Sequence, residues 1–350
     1  MMALALSSRR HVTRLQSTGA LLGGVLFGLA ISLALLLAQG IAITAVFAEF
    51  VGFVFLSDAG LASVAVEATP LVLAGLAGAV ALKVRFWNIG IEGQLWLGAI
   101  GATGVALYDA GPEGMRLALM AAAAMAAGAA WIAIPALLRI RLGVNEIIAT
   151  LLLNYVAFLL VQHLVFGAWK DPQQNFPYTA GFDAPVEQLA RLGWGKTHAG
   201  LLIALAAVAL VWLLTERSRL GAYMRAVGAS PEVARATGVP VLLTVVAAVA
   251  LSGALAGLAG FSVAAGEEHR LTQHLGLGYG FSGILIAFLG RFRALGVLVA
   301  GVLVAGLYVA GKSLQQFYQL PAALIELIQA IILFSVVGAD FFARYRIHRG

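Results

Sequence analysis

Gly306 to Ser313 reads GLYVAGKS and fits G-x-x-x-x-G-K-[ST] letter for letter, a pattern that cradles phosphate only where a strand enters it and a helix leaves it. Two other fragments imitate ATPase signatures: LSGAL at Leu251 to Leu255 and FSVVGAD ending at Asp340. All three lie in Ala/Gly/Leu-rich runs with no strand-like segment before them. Composition explains them: Gly306 and Ala310 are expected to pack a helix and Lys312 to anchor it at an interface. The absence of Cys excludes disulfides, thiolate metal sites and a Cys nucleophile. The six His form no pair at metal-ligand spacing, so no metal is expected. There is no G-x-S-x-G, no H-E-x-x-H and no close carboxylate pair beyond Glu267 and Glu268. Neither a catalytic group nor a cofactor site is expected.

The chemistry that remains is polar groups in apolar surroundings, where an ionisable side chain costs a few kcal/mol and faces a cavity or a partner. Glu67, Glu92 and Glu326 are the acidic cases. In VRFWNIGIEGQLW, Asn88 is placed to cap a helix whose first turns are loosened by Gly90 and Gly93, and Gln94 follows Glu92. A discontinuous helix start offers free N–H groups and a polar wall to a ligand; alternatively Glu92 pairs with Lys83 or Arg85 and fixes the bend. In GVNEIIATLLLNY, Asn145 is placed to cap the next helix, with Glu146 at its positive end. Asn154 lies almost three turns further in, where capping cannot account for it, so it should face a neighbour or a pathway. Tyr279, Gly280, Phe281 and Ser282 open a short apolar run that is a second candidate for a broken helix, ordinary packing being the alternative.

These residues need a scaffold, and the composition specifies one. The 350-residue chain is 61% hydrophobic and 11% charged, against about 25% charged in soluble domains. It reads as an all-α, polytopic integral membrane protein forming a single transmembrane domain over 1–350. Ten spans are expected at about 18–40, 61–82, 89–108, 115–137, 144–167, 198–215, 240–265, 277–290, 294–311 and 321–340. Gly24-x-x-x-Gly28 and Gly253-x-x-x-Gly257 are helix-packing signals. Sixteen of the 22 Lys and Arg fall in alternate segments that include both ends, which places both termini in the cytoplasm. The net charge of +6 therefore reports membrane orientation and not nucleic acid. SSRRHVTR before the first apolar run has the look of a twin-arginine export signal. The run exceeds 20 residues and lacks an A-x-A cleavage site, so a retained first helix is expected.

LAGLAGAV at Leu73 and LAGLAGFSV at Leu255 are each followed by a G-x-x-G opening the next span, which suggests a five-plus-five inverted repeat. An outer segment at about 168–197, with three Pro and mixed charge, reads as an ordered loop, either a receiving surface or a connector with a short surface helix. The inner segment at about 216–239 is punctuated: Ser230 can cap a helix beginning at Pro231 with Glu232 near its positive end, and Gly238 and Pro240 stop it. Before it, Leu220 to Val227 form another turn or two, broken at Gly228. Such a pair is a docking surface or a plain surface element.

NIGIEGQLWLGA, NEIIATLLLNY, LGAYMRAVGASPEVARATGV and GYGFSGILIAFLGR, in this order and spacing, resemble the permease subunits of bacterial ABC importers for nucleosides and simple sugars. The resemblance runs from about Thr69 to the C-terminus. It implies a subunit without its own ATPase site, working in the bacterial plasma (inner) membrane with cytoplasmic ABC ATPase subunits and an extracytoplasmic substrate-binding protein or lipoprotein. NIGIEGQ resembles the longer permease of the nucleoside-type pair, which implies a second, different permease as partner, a homodimer being the alternative. The resemblance makes Leu220 to Val239 the ATPase-coupling loop, with Arg225, Ala226, Val227 and Gly228 as its R-A-V-G motif. Gly221, Ser230, Glu232, Arg235 and Gly238 complete it, and Pro231 departs from the usual residue. Asn88, Glu92, Gln94, Asn145, Asn154, Phe281 and Ser282 are the candidate substrate-pathway residues. Nucleosides are the expected substrate and simple sugars the alternative. An ion-coupled secondary transporter using Glu92 is the alternative of another class.

Overall fold

The computed structural model describes residues 4–8, 14–183, 185–276 and 278–349; Arg9 and Arg10 of the twin-arginine-like segment lie outside them. In chain order the elements are β1 (Leu4–Ser8), α1 (Arg14–Ala38), α2 (Ile43–Leu56), α3 (Asp58–Lys83), α4 (Ile91–Leu107), α5 (Arg116–Leu142), α6 (Glu146–Phe166), α7 (Gly200–Arg217), α8 (Arg219–Ala229), α9 (Pro231–Ala236), α10 (Val241–Glu268), α11 (Tyr279–Leu289), α12 (Ala294–Tyr318), α13 (Ala322–Arg344) and β2 (Tyr345–Arg349). Among the described residues, α3, α5, α6, α7, α10, α12 and α13 contain stretches long and apolar enough to cross a membrane. Leu22–Ala38 of α1, α2 and α11 are shorter apolar helices.

Each expected span coincides with a helix, and three differences are informative. The apolar helix α2 lies between the first two expected spans; its 14 residues fall short of the length that marks a crossing. The ninth span continues as unbroken α-helix through Gly306 to Ser313 and on to Tyr318, so GLYVAGKS is helical throughout and forms no phosphate loop. The short eighth span is eleven residues, α11.

The chain divides into two compact units, residues 1–61 with 306–350 and residues 62–305, with the divisions falling inside α3 and α12. In the first unit α1 lies against α13 at its glycines. A Cβ on Gly24 would stand 2.7 Å from the Ser335 carbonyl oxygen, and one on Gly28 2.8 Å from the Ile332 Cα. Leu36, Ile41, Val46, Leu314, Ile325 and Ile328 make up much of its apolar core. β1 pairs antiparallel with β2, Leu4 opposite Arg349 and Ser8 opposite Tyr345, which brings these two strands of the chain together.

In the second unit α3 is the buried centre: 89% of its most apolar stretch is covered. Around it α4, α5 and α10 approach backbone to backbone, because without side chains at the crossing the helices gain dispersion contacts that lipid cannot replace. A Cβ on Gly257 would fall 2.1 Å from the Ala124 carbonyl oxygen, and one on Gly260 1.9 Å from that of Leu95. Adding a methyl group at Gly260 forces main chain apart. Gly260→Ala is therefore expected to lower stability by about 1–3 kcal/mol, as overpacking does. By contrast Gly23→Ala, with nothing within 4 Å of the new Cβ, is expected to gain about 0.5–1 kcal/mol through helix propensity. Thermal unfolding of the two purified variants separates the outcomes; equal melting temperatures would remove close backbone approach as the reason for this glycine.

Candidate functional site

Between α3 and α4 the chain turns through residues 84–90, leaving several backbone groups outside the helical ladder. Side chains take them up. Asn88 Oδ1 accepts from the Gly90 N–H at 3.1 Å and from Gln94 Nε2 at 2.8 Å, while its Nδ2 donates to Gln94 Oε1 at 2.9 Å and to Ser252 Oγ at 3.0 Å. The Ser252 hydroxyl in turn donates to the Ala77 carbonyl at 2.7 Å. The capping position itself belongs to Gly90, two residues later than the sequence suggested, because the Asn88 amide is engaged by the Gln94 amide in a two-bond pair.

Asn154 reaches the same turn from α6, accepting from the Gly93 N–H at 2.8 Å and donating to the Ile89 carbonyl at 3.0 Å. Thr150 Oγ1, one turn before it, accepts from the Ile89 N–H at 3.2 Å. Glu92 is bonded to the backbone at the start of α11 and not to Lys83 or Arg85. Its Oε1 accepts from the Gly278 N–H and its Oε2 from the Gly280 N–H, both at 2.6 Å, so it closes the positive end of α11. From α3, Glu67 Oε2 accepts from the Tyr279 hydroxyl at 2.6 Å. Two helices with irregular starts, α4 and α11, are thus joined through one carboxyl group, and Asn88, Glu92, Gln94 and Asn154 are all buried.

The other candidates are placed differently. Ser282 is buried one turn into α11, and Phe281 beside it is 44% exposed. Asn145 caps α6, accepting from the Ile147 N–H at 2.9 Å, and is exposed; it stands nine residues, about 14 Å along the helix, from Asn154. Glu146 accepts from Arg139 at 2.7 Å. Glu326 is exposed on α13. Nothing in the sequence marks Thr150 and Ser252 as partners, since small hydroxyl residues in apolar helices are common. Glu67 was legible as a costly carboxylate, though not its use.

In the segment at about 216–239, Ser218 caps α8, accepting from the Gly221 N–H at 3.4 Å, and Ser230 caps α9, accepting from the Val233 N–H at 3.3 Å, with Pro231 in the first turn. The break falls at Ser230 and not at Gly228. Gly228 stays helical, and its role is packing: a Cβ there would stand 2.2 Å from the Lys83 carbonyl oxygen at the end of α3. Gly221 packs in the same way on the Thr215 carbonyl of α7, and Arg225 Nη1 donates to that carbonyl at 2.8 Å. Val227 is buried and Ala226 half-buried. What α9 presents outward is Glu232, Val233 at 62% exposure, and Arg235, before Gly238 ends the helix with φ +82°. The backbone N–H of Glu232 itself and the Ser230 hydroxyl hold the Glu232 carboxyl below its ordinary range, so it stays charged at the helix start. Beside α9 a cleft of about 260 Å³ is bordered by Val84, Phe86, Arg139, Pro231, Arg235 and Leu242.

The segment at about 168–197 contains no regular helix among its described residues; it is ordered by bonding to the end of α10 and the residues after it. Thr179 N–H donates to the Leu271 carbonyl at 3.2 Å, Phe182 N–H to that of His269 at 2.8 Å, and Leu189 N–H to that of Ala265 at 2.8 Å. Arg116, at the start of α5, ties the segment down at Glu187, 3.0 Å away, and also pairs with Asp109.

Residues 60–337 match the family described as the permease component of the branched-chain amino acid transport system. The chain is 40% identical over 301 residues to the glucose ABC transporter permease protein TsgB13 of Haloferax volcanii, covering 83% of this chain and 79% of that one. It is 31% identical to the guanosine ABC transporter permease protein NupP of Bacillus subtilis, covering 78% and 79%. A second guanosine permease protein of the same bacterium, NupQ, is 26% identical, covering 67% and 76%. With its membrane-spanning helices and the four motif segments in register, the chain belongs to this family of ABC transporter permeases.

Proposed function

We propose that this chain is one of two different permease subunits of an ATP-driven importer in the bacterial plasma (inner) membrane, and that the importer carries nucleosides. ATP is hydrolysed by a cytoplasmic partner, and an extracytoplasmic binding protein or lipoprotein delivers substrate to the outer side. The observation that carries the transport mechanism is the seating of the cytoplasmic helix pair. Gly228 lies against the last carbonyl of α3, and Arg225 and Gly221 lie against Thr215 of α7. An ATPase bound to the exposed side of α9 therefore pushes on the ends of two membrane helices. One of them, α3, leads directly into the turn that Asn88, Gln94 and Asn154 hold and to the Glu92 junction with α11. Movement of the helix pair and movement of this turn are mechanically linked through continuous chain.

For the substrate, a relative named for guanosine supports a nucleoside, and the occurrence of two guanosine permease proteins in one bacterium, both similar to this chain, supports a heterodimer. The 40% identity to a permease named for glucose favours a second reading, a simple sugar. Both substrates are rich in hydroxyls whose desolvation must be met by hydrogen bonds along the route. Uptake by the reconstituted importer decides: ATP-dependent accumulation of labelled guanosine, undiminished by excess glucose, is expected. Accumulation of glucose alone would replace the nucleoside reading with the sugar one. Transport persisting in vesicles without ATP would replace both with an ion-coupled carrier.

A further inference from the structure

The side chains that sequence reasoning assigned to the pathway are largely consumed in holding α4, α6 and α11 together, so the groups that meet a solute must be sought on surfaces the chain leaves open. In the second unit, away from helix ends, the exposed residues of α5, α7 and α10 are Ala, Val, Leu, Ile and Met. The exception is α6. Tyr155 stands at the middle of this 21-residue helix and is 64% exposed. Seven and eight residues further on, Gln162 is partly exposed and His163 exposed, and at 100° per residue these fall on the same side of the helix as Tyr155. Asn154, about 100° round the helix from Tyr155, is bonded to the α4 turn at both ends of its amide and so fixes which way the Tyr155 face points.

A phenol at the midpoint of a span is out of place against lipid. Tyrosines of membrane helices collect at the two interfaces, where the hydroxyl reaches water, and an unpaired hydroxyl in hydrocarbon costs a few kcal/mol. Among the described residues, none hydrogen-bonds the Tyr155 hydroxyl. We infer that the Tyr155 face of α6, with Gln162 and His163, lines the water-filled route by which a polar solute crosses, Tyr155 offering an aromatic face and a hydroxyl to a base or sugar ring. This rests on the permease reading above.

The chain has no cysteine, so a single introduced thiol is unambiguous. In the assembled importer in proteoliposomes, Tyr155→Cys is compared with Ala130→Cys, which lies mid-span on the exposed apolar side of α5, using a charged sulfonate methanethiosulfonate reagent. The reactive species is the thiolate, which apolar surroundings suppress, so Y155C is expected to react at least about tenfold faster than A130C. Equal, slow reaction of the two would overturn the inference and place this face against lipid or in a sealed contact with the other permease. As a second variant that keeps the ring, Tyr155→Phe is expected to raise the KM for guanosine uptake about fivefold, the loss of one hydrogen bond; an unchanged KM would overturn contact between the hydroxyl and the solute. Fast labelling of Y155C in an importer that carries no guanosine would sink the nucleoside reading and leave this one standing.

Discussion

Replacing Glu92 with leucine is expected to destabilise the second unit by about 3 kcal/mol and to abolish transport, because two N–H groups, that of buried Gly280 and that of half-buried Gly278, lose their acceptor at once. Gly278 and Gly280 both donate to this carboxyl group at 2.6 Å, and each unsatisfied buried donor costs about 1–3 kcal/mol. Against this stands the relief of no longer burying a carboxyl group, which reduces the sum without reversing it, since the two donors sit at the positive end of α11 and lose a charged acceptor there. The backbone leaves no slack for rearrangement: a Cβ on Gly280 would stand 2.2 Å from the Glu92 nitrogen. Glu92→Gln keeps one acceptor oxygen and points an NH₂ at the other donor, so about half the loss is expected, roughly 1–2 kcal/mol. Thermal unfolding of the purified complex should rank wild type above E92Q above E92L, with guanosine uptake falling in the same order. An E92L protein that melts with the wild type would mean that the junction holds nothing.

The same junction marks how far the sequence could be read. That Glu92 and Asn154 required special partners followed from the cost of polarity in an apolar helix, and both proved buried and bonded. Their partners were out of reach: Glu92 bonds backbone 186 and 188 residues away in sequence, and backbone N–H groups carry no letter. The helices themselves were legible because apolar length alone determines a span, and the caps at Asn145 and Ser230 because they are local. Gly228 was misread as a break for the complementary reason. Inside a short helix, a glycine that ends it and a glycine that lets Lys83 approach look alike until the neighbour is placed. Tyr155 went unnoticed because a tyrosine in an apolar run gives no sign of which side of the helix it occupies.

Val233→Asp is expected to cut ATP-driven uptake at least about tenfold while leaving the melting temperature of the isolated permease unchanged. Val233 is 62% exposed on α9, and surface substitutions away from caps and cores change stability by less than about 0.5 kcal/mol. In the assembled importer the same side chain is expected to be covered by the ATPase, where an aspartate would be desolvated without a partner and cost at least about 1.4 kcal/mol of binding, a factor of ten. Arg225→Ala supplies the contrast. Its guanidinium donates inward to the Thr215 carbonyl, so its loss frees the helix pair from the end of α7. Arg225→Ala should lower the melting temperature of the permease on its own and also impair uptake. Co-purification of the ATPase with each variant, alongside uptake, separates the two contributions: V233D is expected to lose the ATPase from an intact permease, and R225A to keep part of it on a loosened one. Undiminished uptake by V233D would remove α9 from the coupling surface and leave the seating of α8 on α3 and α7 as a feature of the fold alone.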